Sequence, residues 1–298
     1  MTVANTAPRP GDARRPEVEH VMRRLPTRAE IDPSGYQRRR RRLELALGWL
    51  TPLVFIGLWQ LASTQSWIDP KFFPAPSRVW TTGMSLVRSG VLWHNLSISL
   101  ERVVYGFLIG VAAGTLAGFA LGLSRTLRAA LDPILTAFYM VPKLALLPLL
   151  LLIFGLGEFP LILEIAITVF FFMWLSCMAA VLGVPDSYRE AGRAFGASPV
   201  QQFRHVLVPA VLPAFFVALR LSIGVAVLVM VGIEFVQGSS GIGWLIWQSW
   251  SLFLAAQMYV GIVTVAITGV VLTLVIRVIG HLVLPWARAT QSGARAPF

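Results

Sequence analysis

Long apolar runs alternate along this chain with short segments that hold arginine, glycine and proline. A helix needs about 20 apolar residues to cross a bilayer, because each residue adds about 1.5 Å to its length. The pattern therefore predicts an all-α, polytopic membrane protein with about six transmembrane helices. The predicted spans are roughly Leu43–Ala62, Ser97–Leu123, Pro133–Phe154, Pro160–Leu182, Pro209–Val236 and Met258–Leu284.

Three segments depart from simple spans. Pro142 and Pro148 interrupt the third apolar run, and a proline inside a helix kinks or breaks it. The segment Phe72–Trp80, followed by a short apolar pattern, predicts an external helix lying at the membrane interface. Gln237–Gln257 is too short and too rich in glycine to span, so a re-entrant or interfacial hairpin is expected there.

The second apolar run carries a glycine at every fourth position. These glycines share one face of a helix and would let another helix approach closely. The partner helix could belong to the same chain or to a second copy. The helix-packing candidates are Gly106, Gly110, Gly114, Gly118 and Gly122.

A polar, helix-capable island, residues 186–213, separates the fourth and fifth runs. Asp186 or Ser187 could cap a helix that Gly196 ends, and a second helix is predicted to start at Ser198-Pro199. A short surface helix held between two spans suits the docking of a soluble partner.

Composition and charge agree with this picture and orient it. The 298 residues are 56% hydrophobic and 13% charged, against about 25% charged in soluble domains. Eleven arginines precede residue 43, and most other arginines fall in alternate connecting segments, which predicts cytosolic N- and C-termini. Because these N-terminal arginines lie directly ahead of a predicted span, membrane lipid is favoured over nucleic acid as their contact.

The predicted organisation has three parts. Residues 1–42 are a disordered basic cytosolic tail, without the pattern of a signal peptide. Residues 43–285 are the transmembrane domain, which includes residues 186–209 of the polar island, and residues 286–298 are a cytosolic C-terminal tail.

Ionisable groups inside spans are candidates for function, because they are costly in lipid. Lys143 is a candidate pathway residue or a structural charge paired with carbonyls that the broken helix frees. Arg220 is predicted to form a buried pair or to snorkel rather than to contact solute. Glu234 is predicted to pair with the turn 238–243. Glu164 is predicted to lie at the membrane interface. The pathway candidates are Tyr139, Met140, Lys143, Arg220, Glu234 and Gln237.

No catalytic constellation is visible, so the chain is not expected to be an enzyme. Its four histidines lie far apart, no metal-ligand motif occurs, and no GxxxxGK[ST] sequence that would bind ATP is present. No cofactor is therefore expected on this chain. If transport consumes ATP, a partner must hydrolyse it.

The polar island also carries a family signature. Glu190-Ala191-Gly192, three residues, Gly196, nine residues and Val206-x-Val208-Pro209 resemble the EAA-x3-G-x9-I-x-L-P signature of permease subunits of binding-protein-dependent ABC importers. The departures are glycine for the second alanine and valine for isoleucine and leucine. The sequences FFPAP, SLERVVYGFLIG and VGIEFVQGSSGIGWLIW resemble the nitrate, sulfonate and taurine branch of that family.

The resemblance implies the type I ABC importer permease fold in a bacterial cytoplasmic membrane. It implies a cytosolic ABC ATPase dimer that holds ATP and Mg, an extracytoplasmic solute-binding protein and a second permease copy, favouring a homodimer. Glu190–Gly196 would be the coupling helix that sits in a groove of the ATPase, and residues 186–209 would form the coupling segment around it. The implied coupling residues are Arg189, Glu190, Ala191, Gly192, Arg193, Gly196, Ala197 and Pro209.

The branch suggests a sulfonate, taurine or nitrate-type oxyanion as the solute, or alternatively a thiamine-precursor-like heterocycle. A self-sufficient secondary carrier or channel is the rival function, although no convincing internal repeat is visible. A membrane-embedded enzyme is a second rival, and it lacks the clustered histidines or carboxylates it would need.

Overall fold

The structure, a computed structural model, describes residues 33–286. The predicted N-terminal tail up to residue 32 and the C-terminal tail from residue 287 lie outside the described residues. The described helices are α1 Pro33–Thr64, α2 Pro76–Arg88, α3 Val91–Leu123, α4 Arg125–Tyr139, α5 Leu147–Phe154, α6 Glu158–Leu182, α7 Asp186–Ala194, α8 Pro199–Gln202, α9 Val208–Gln237, α10 Ile242–Ser251 and α11 Ala255–Val283.

The predicted all-α fold with about six spans is confirmed. Five helical stretches of the described chain are long and apolar enough to cross a membrane. The remaining one, the predicted third span, is broken: α4 and the helical stretch Lys143–Phe154 meet at 86°. Pro142 lies at the break, whereas Pro148 is accommodated in the first turn of α5, where a proline costs no helical hydrogen bond.

Two helices begin earlier than the hydropathy pattern predicts. α1 begins at Pro33, so residues 33–42, assigned to the tail, are helical. α4 begins at Arg125, where Ser124 caps it by accepting from the Leu127 N–H. Polar residues can continue a helix beyond the apolar window that reveals it, so hydropathy alone misses such extensions.

The described chain divides between Leu58 and Trp59 into two compact units. In the first unit, α1 has an exposed apolar surface, including Trp49 and Phe55. In the second, α3 and α6 pack along almost their whole lengths. Their contact forms the core with Val103, Ile165 and Val169, which α9 completes.

The glycine stripe of α3 lies against α6 of the same chain. A Cβ atom built on Gly110 would lie 2.5 Å from the Ala166 carbonyl oxygen, and one on Gly118 would lie 2.6 Å from Cβ of Cys177. No side chain fits at such distances, so the two backbones approach as closely as small residues permit. The sequence left open whether the helix that packs on these glycines belongs to the same chain or to a second copy. In the structure it belongs to the same chain.

The segments predicted to be external are helical too. α2 is the expected short helix, and its Gly83 packs against Val260 of α11. Between α9 and α11 lies α10, which has only ten residues and buries Ile242 and Leu245. It is too short to span, as predicted.

Candidate functional site

The coupling segment forms two short helices joined by a glycine turn. α7 begins at Asp186, directly behind Pro185, so the predicted capping role of Asp186 or Ser187 is wrong: Pro185 holds the cap position without a side-chain hydrogen bond. Gly196 ends the helix with φ of +72°, a conformation that favours glycine. The N–H groups of Gly196 and Ala197 donate to the carbonyls of Arg193 and Gly192.

The second helix has the expected start. Ser198 accepts from the Gln201 N–H while the Gln201 side chain accepts from the Ser198 N–H, with Pro199 in the first turn. From Pro199 the helix runs through a π-turn, Phe203–Leu207, into α9. A Cβ on Gly192 would lie 3.5 Å from Gln202, an ordinary van der Waals distance, so α7 packs beside this helix with room for an alanine.

A buried apolar cluster ties the coupling segment to the spans. Val181 and Val184 at the end of α6 pack with Leu207 and Val211 at the start of α9. Phe119 of α3 joins this cluster and also contacts Phe203, with ring centroids 6.0 Å apart. A displacement of the coupling segment must therefore act on three spans, because packed interiors resist compression.

The outer face of the segment is apolar and uncovered in the described chain. Phe195 is 91% exposed, and Tyr188 and Val200 are also largely exposed. Glu190 and Arg193 are exposed on the same helix, α7. An exposed apolar group rimmed by charge marks an interaction surface.

A second polar site is buried where the first half of α3, the start of α6 and the end of α9 meet, on the side predicted to be outer. Arg102 of α3 is 1% exposed and uses all five N–H donors. Its guanidinium binds Glu158 at 2.6 and 2.7 Å, Glu234 at 2.7 Å and the carbonyl and hydroxyl of Ser240 at 2.8 and 3.2 Å. We call Asn95, Ser99, Arg102, Glu158, Glu234 and Ser240 the outer polar network.

The network fixes the glycine-rich turn between α9 and α10. The fully buried Glu234 accepts from the Gly243 N–H at 2.7 Å and from the Ser99 hydroxyl, while the Ile242 N–H donates to Ser99. Asn95 accepts from the Gly241 N–H at 2.8 Å. Glu234 thus pairs with the 238–243 turn, and its carboxylate is closed to a solute in this conformation.

Lys143 sits in the break of the third span. Its ammonium group donates to the carbonyls of Phe138, Tyr139 and Val141 at 3.1, 2.7 and 2.7 Å, and it lies 4.7 Å from the Phe171 ring centroid. These are carbonyls at the end of α4, which a continuous helix would have satisfied. The sequence left two roles open for Lys143, a pathway residue or a structural charge paired with freed carbonyls. In the structure its side chain makes the structural pairing.

The side chains of the other two ionisable candidates make no hydrogen bond in the described chain. Glu164 is fully buried in the protein, and neither carboxylate oxygen has a hydrogen-bond partner there. The Arg220 side chain is exposed and makes no hydrogen bond or ion pair within residues 33–286, so of its two predicted arrangements the buried pair is absent and snorkelling stays a prediction. An arginine facing lipid at the centre of a span costs about 2.5–3.5 kcal/mol.

The remaining pathway candidates lie on accessible surfaces. Met140 is 71% exposed, and Tyr139 and Gln237 are also exposed. The structure does not gather the pathway candidates into one site within this chain: Glu234 lies in the outer polar network, whereas Lys143 and Tyr139 lie at the α4 break.

Sequence reasoning missed Arg102 and its partners. A signal was present, because Asn95, Ser99 and Arg102 follow helical spacing and continue the face of the glycine stripe. Polar groups on the most tightly packed face of a span must be satisfied inside the protein.

Comparison with known proteins agrees with these features. Residues 107–289 match the family described as binding-protein-dependent transport system inner membrane component. The chain is 32% identical, over 85% of its length and 91% of the relative's, to a protein of Bacillus subtilis described as an aliphatic sulfonates transport permease protein, SsuC. It is 32% identical to the taurine transport system permease protein TauC of Escherichia coli, over 84% and 92% of the two chains.

Two further likenesses extend the comparison. The nitrate import permease protein NrtB of Leptolyngbya laminosa is 29% identical over 87% of this chain and 96% of its own. A solved chain of the MetNI methionine ABC transporter, in an inward-facing conformation, has a TM-score of 0.51 at 25% identity and covers 67% of this chain and 94% of its own. The chain therefore belongs to the binding-protein-dependent inner membrane component family and is a permease subunit of an ABC importer, not an enzyme.

Proposed function

We propose that this chain forms the translocation path of an ATP-driven importer for a small oxyanion of the sulfonate, taurine or nitrate type. Coupling to a separate ATPase would run through residues 186–209. The observation that carries the proposal is the coupling segment itself, which leaves Phe195 91% exposed while Leu207 and Val211, directly behind it, are buried among the spans.

Such an arrangement suits mechanical transmission. A partner that covers Phe195 and Tyr188 would hold α7, and the packing of Gly192 beside Gln202 would pass its displacement to α8. The cluster around Leu207 would then move the ends of α6 and α9 together. The spans would respond as rigid bodies, opening a cavity to one side of the membrane at a time.

The partners follow from this role. ATP and Mg would bind to a cytosolic ATPase dimer, which docks on the coupling segments of two permease copies. A homodimer is the simplest assembly. An extracytoplasmic solute-binding protein would deliver the solute at the side where α2 and α10 lie. This orientation would put the N-terminus and the coupling segment in the cytosol, and the arginine distribution supports it.

The oxyanion class rests on the relatives. SsuC and TauC are described for aliphatic sulfonates and taurine, and NrtB for nitrate. Sulfonates and nitrate share a compact, anionic group of oxygens. The same path would admit either, and the solute-binding protein would select between them.

Charge reversal at Glu190 tests the coupling. We expect Glu190→Lys to abolish ATP-driven uptake in proteoliposomes, because it places a cation on the exposed face that the ATPase covers. Gly196→Asp is expected to act similarly, since a side chain is strained at φ of +72°. The measurements are co-purification of an ATPase with the detergent-solubilised chain and uptake of labelled taurine, sulfonate or nitrate.

Glu44→Lys is the matched control. Glu44 is an exposed carboxylate outside the coupling segment, and its ion pair with Arg40 is also exposed, so it contributes little. The control should retain both the ATPase and uptake. Normal uptake by Glu190→Lys would refute the coupling role, and uptake by the chain alone without ATP would make it a carrier or channel.

A further inference from the structure

Two arginines on neighbouring spans face the surface without a partner in residues 33–286. Arg220 of α9 and Arg277 of α11 are both exposed and make no hydrogen bond or ion pair with any described residue. By contrast, Arg102, which is also inside a span, uses every donor it has. The unsatisfied donors of this pair need an explanation from outside the chain.

Arg220 lies at membrane depth. It is twelve residues from Val208, the start of α9, and therefore about 18 Å along the helix. The other end of α9, Gln237, is seventeen residues or about 26 Å away. Arg220 therefore lies inside the apolar span of α9 rather than at either of its ends, where an arginine is costly unless it is paired or reaches the interface.

The packing of α9 on α11 puts the two arginines at one level. Gly280 meets Phe216, where a built Cβ would lie 3.0 Å from the ring, and Gly269 meets Val227 at 4.0 Å. These two contacts fix an antiparallel register in which position 220 is opposite position 276. Arg277 is thus one residue from the level of Arg220.

A groove runs beside the pair. Its volume is about 540 Å³, and Arg277 lines it together with Thr273 of α11 and Gly224 of α9. Gly224 is one turn beyond Arg220 on the same helix face, and a Cβ added there would meet nothing within 4 Å. The groove therefore has room for a small ligand beside Arg277 and the Thr273 hydroxyl, and Arg220 lies one helical turn from its edge at Gly224.

We propose that Arg220 and Arg277 form an oxyanion-binding site at membrane depth, which holds the anionic group of the transported solute. The inference rests on the proposed importer function and adds the residues that receive the solute. Guanidinium groups suit this ligand, because their planar donors pair with the oxygens of a sulfonate or nitrate. Thr273 would supply a further donor from its hydroxyl group.

Uptake by the full importer tests the site. Arg220→Gln is expected to lower uptake of labelled taurine or nitrate about ten- to a hundredfold, the effect of losing one charge-assisted hydrogen bond. Arg220→Lys should retain part of the rate, and Arg277→Gln should show a smaller loss. ATP hydrolysis stimulated by the loaded binding protein should persist in all three variants, because the coupling segment is unchanged.

Arg125→Gln is the control, since Arg125 is an exposed arginine of α4 with no partner in the described chain. Its uptake should equal that of the wild type. Unchanged uptake in Arg220→Gln would overturn the site. Loss of the permease dimer in Arg220→Gln, measured by size-exclusion with light scattering, would also overturn the site, because Arg220 would then pair with the second copy. A wild type without ATP-driven uptake would instead contradict the importer function.

Vesicle composition separates a solute anion from a lipid headgroup. Wild-type uptake should be equal in vesicles of phosphatidylcholine alone and in vesicles that also contain phosphatidylglycerol. If wild-type uptake in phosphatidylcholine fell to the level of Arg220→Gln, and phosphatidylglycerol restored only the wild type, the ligand would be a lipid phosphate and the solute site would be refuted.

Discussion

Replacing Arg102 with methionine is expected to lower the free energy of unfolding by about 3–5 kcal/mol, the cost of leaving a buried charge without its partner. Glu234 is fully buried and would keep only its hydrogen bonds from Ser99 and Gly243. Glu158 is half exposed and could turn to water. The measurement is the temperature at which the detergent-purified chain loses its monodisperse peak on size-exclusion.

A second substitution separates charge from shape. In Arg102→Met with Glu234→Gln, the amide oxygen can still accept from the Gly243 N–H, and no buried charge remains. We expect this double variant to recover a large part of the lost stability. Arg125→Met, an exposed arginine with no partner in the described chain, should melt like the wild type. Equal melting of Arg102→Met and Arg125→Met would show that the network contributes nothing.

Gly114→Ala is expected to destabilise the chain by about 1–3 kcal/mol through overpacking. The added Cβ would lie 2.5 Å from the Phe170 carbonyl oxygen and 2.8 Å from Cβ of Met173, so α3 and α6 would have to separate. Helix propensity alone predicts the opposite sign, because alanine is favoured over glycine by about 1 kcal/mol. The sign of the change in melting temperature therefore decides which effect dominates.

Gly57→Ala provides the matched comparison. Gly57 lies inside α1, and a Cβ there would meet nothing within 4 Å. The same substitution should leave stability unchanged or raise it slightly. If Gly114→Ala melted at or above the wild-type temperature, α3 and α6 would have room that their described packing does not show.

Hydropathy predicts the spans well because the bilayer imposes one length on every helix that crosses it. It predicts their ends less well. Ten helical residues of α1 precede the apolar window at Leu43, and α4 starts eight residues before its expected onset at Pro133. A helix that continues beyond the membrane can have polar residues there, because water solvates them, so no apolar signal marks where such a helix starts.

The coupling segment was predictable because its signals are local. Gly196 and Ser198-Pro199 act on their own helix ends, and both behave as their residue types require. The start of α7 was misplaced by one position, since Pro185 occupies the cap and Asp186 is already helical. Proline adopts the extended backbone of a cap without offering a hydrogen bond.

The outer polar network could not be assembled from sequence, because its members come from distant segments. Glu158 and Glu234 follow Arg102 by 56 and 132 positions in the sequence. The spacing of Asn95, Ser99 and Arg102 showed only that one helix face was polar. Which carboxylates would meet that face depended on how the spans pack.

The continuous helix from Pro199 to Gln237 has 39 residues, which gives a rod about 58 Å long. One end begins in the coupling segment, and the other carries Glu234 in the outer polar network. A tilt of about 5° about the coupling-segment end would carry the far end about 5 Å sideways. If an ATPase docks on the coupling segment, as proposed, the rod would act as a lever that converts a small angular movement there into a larger displacement at the outer polar network.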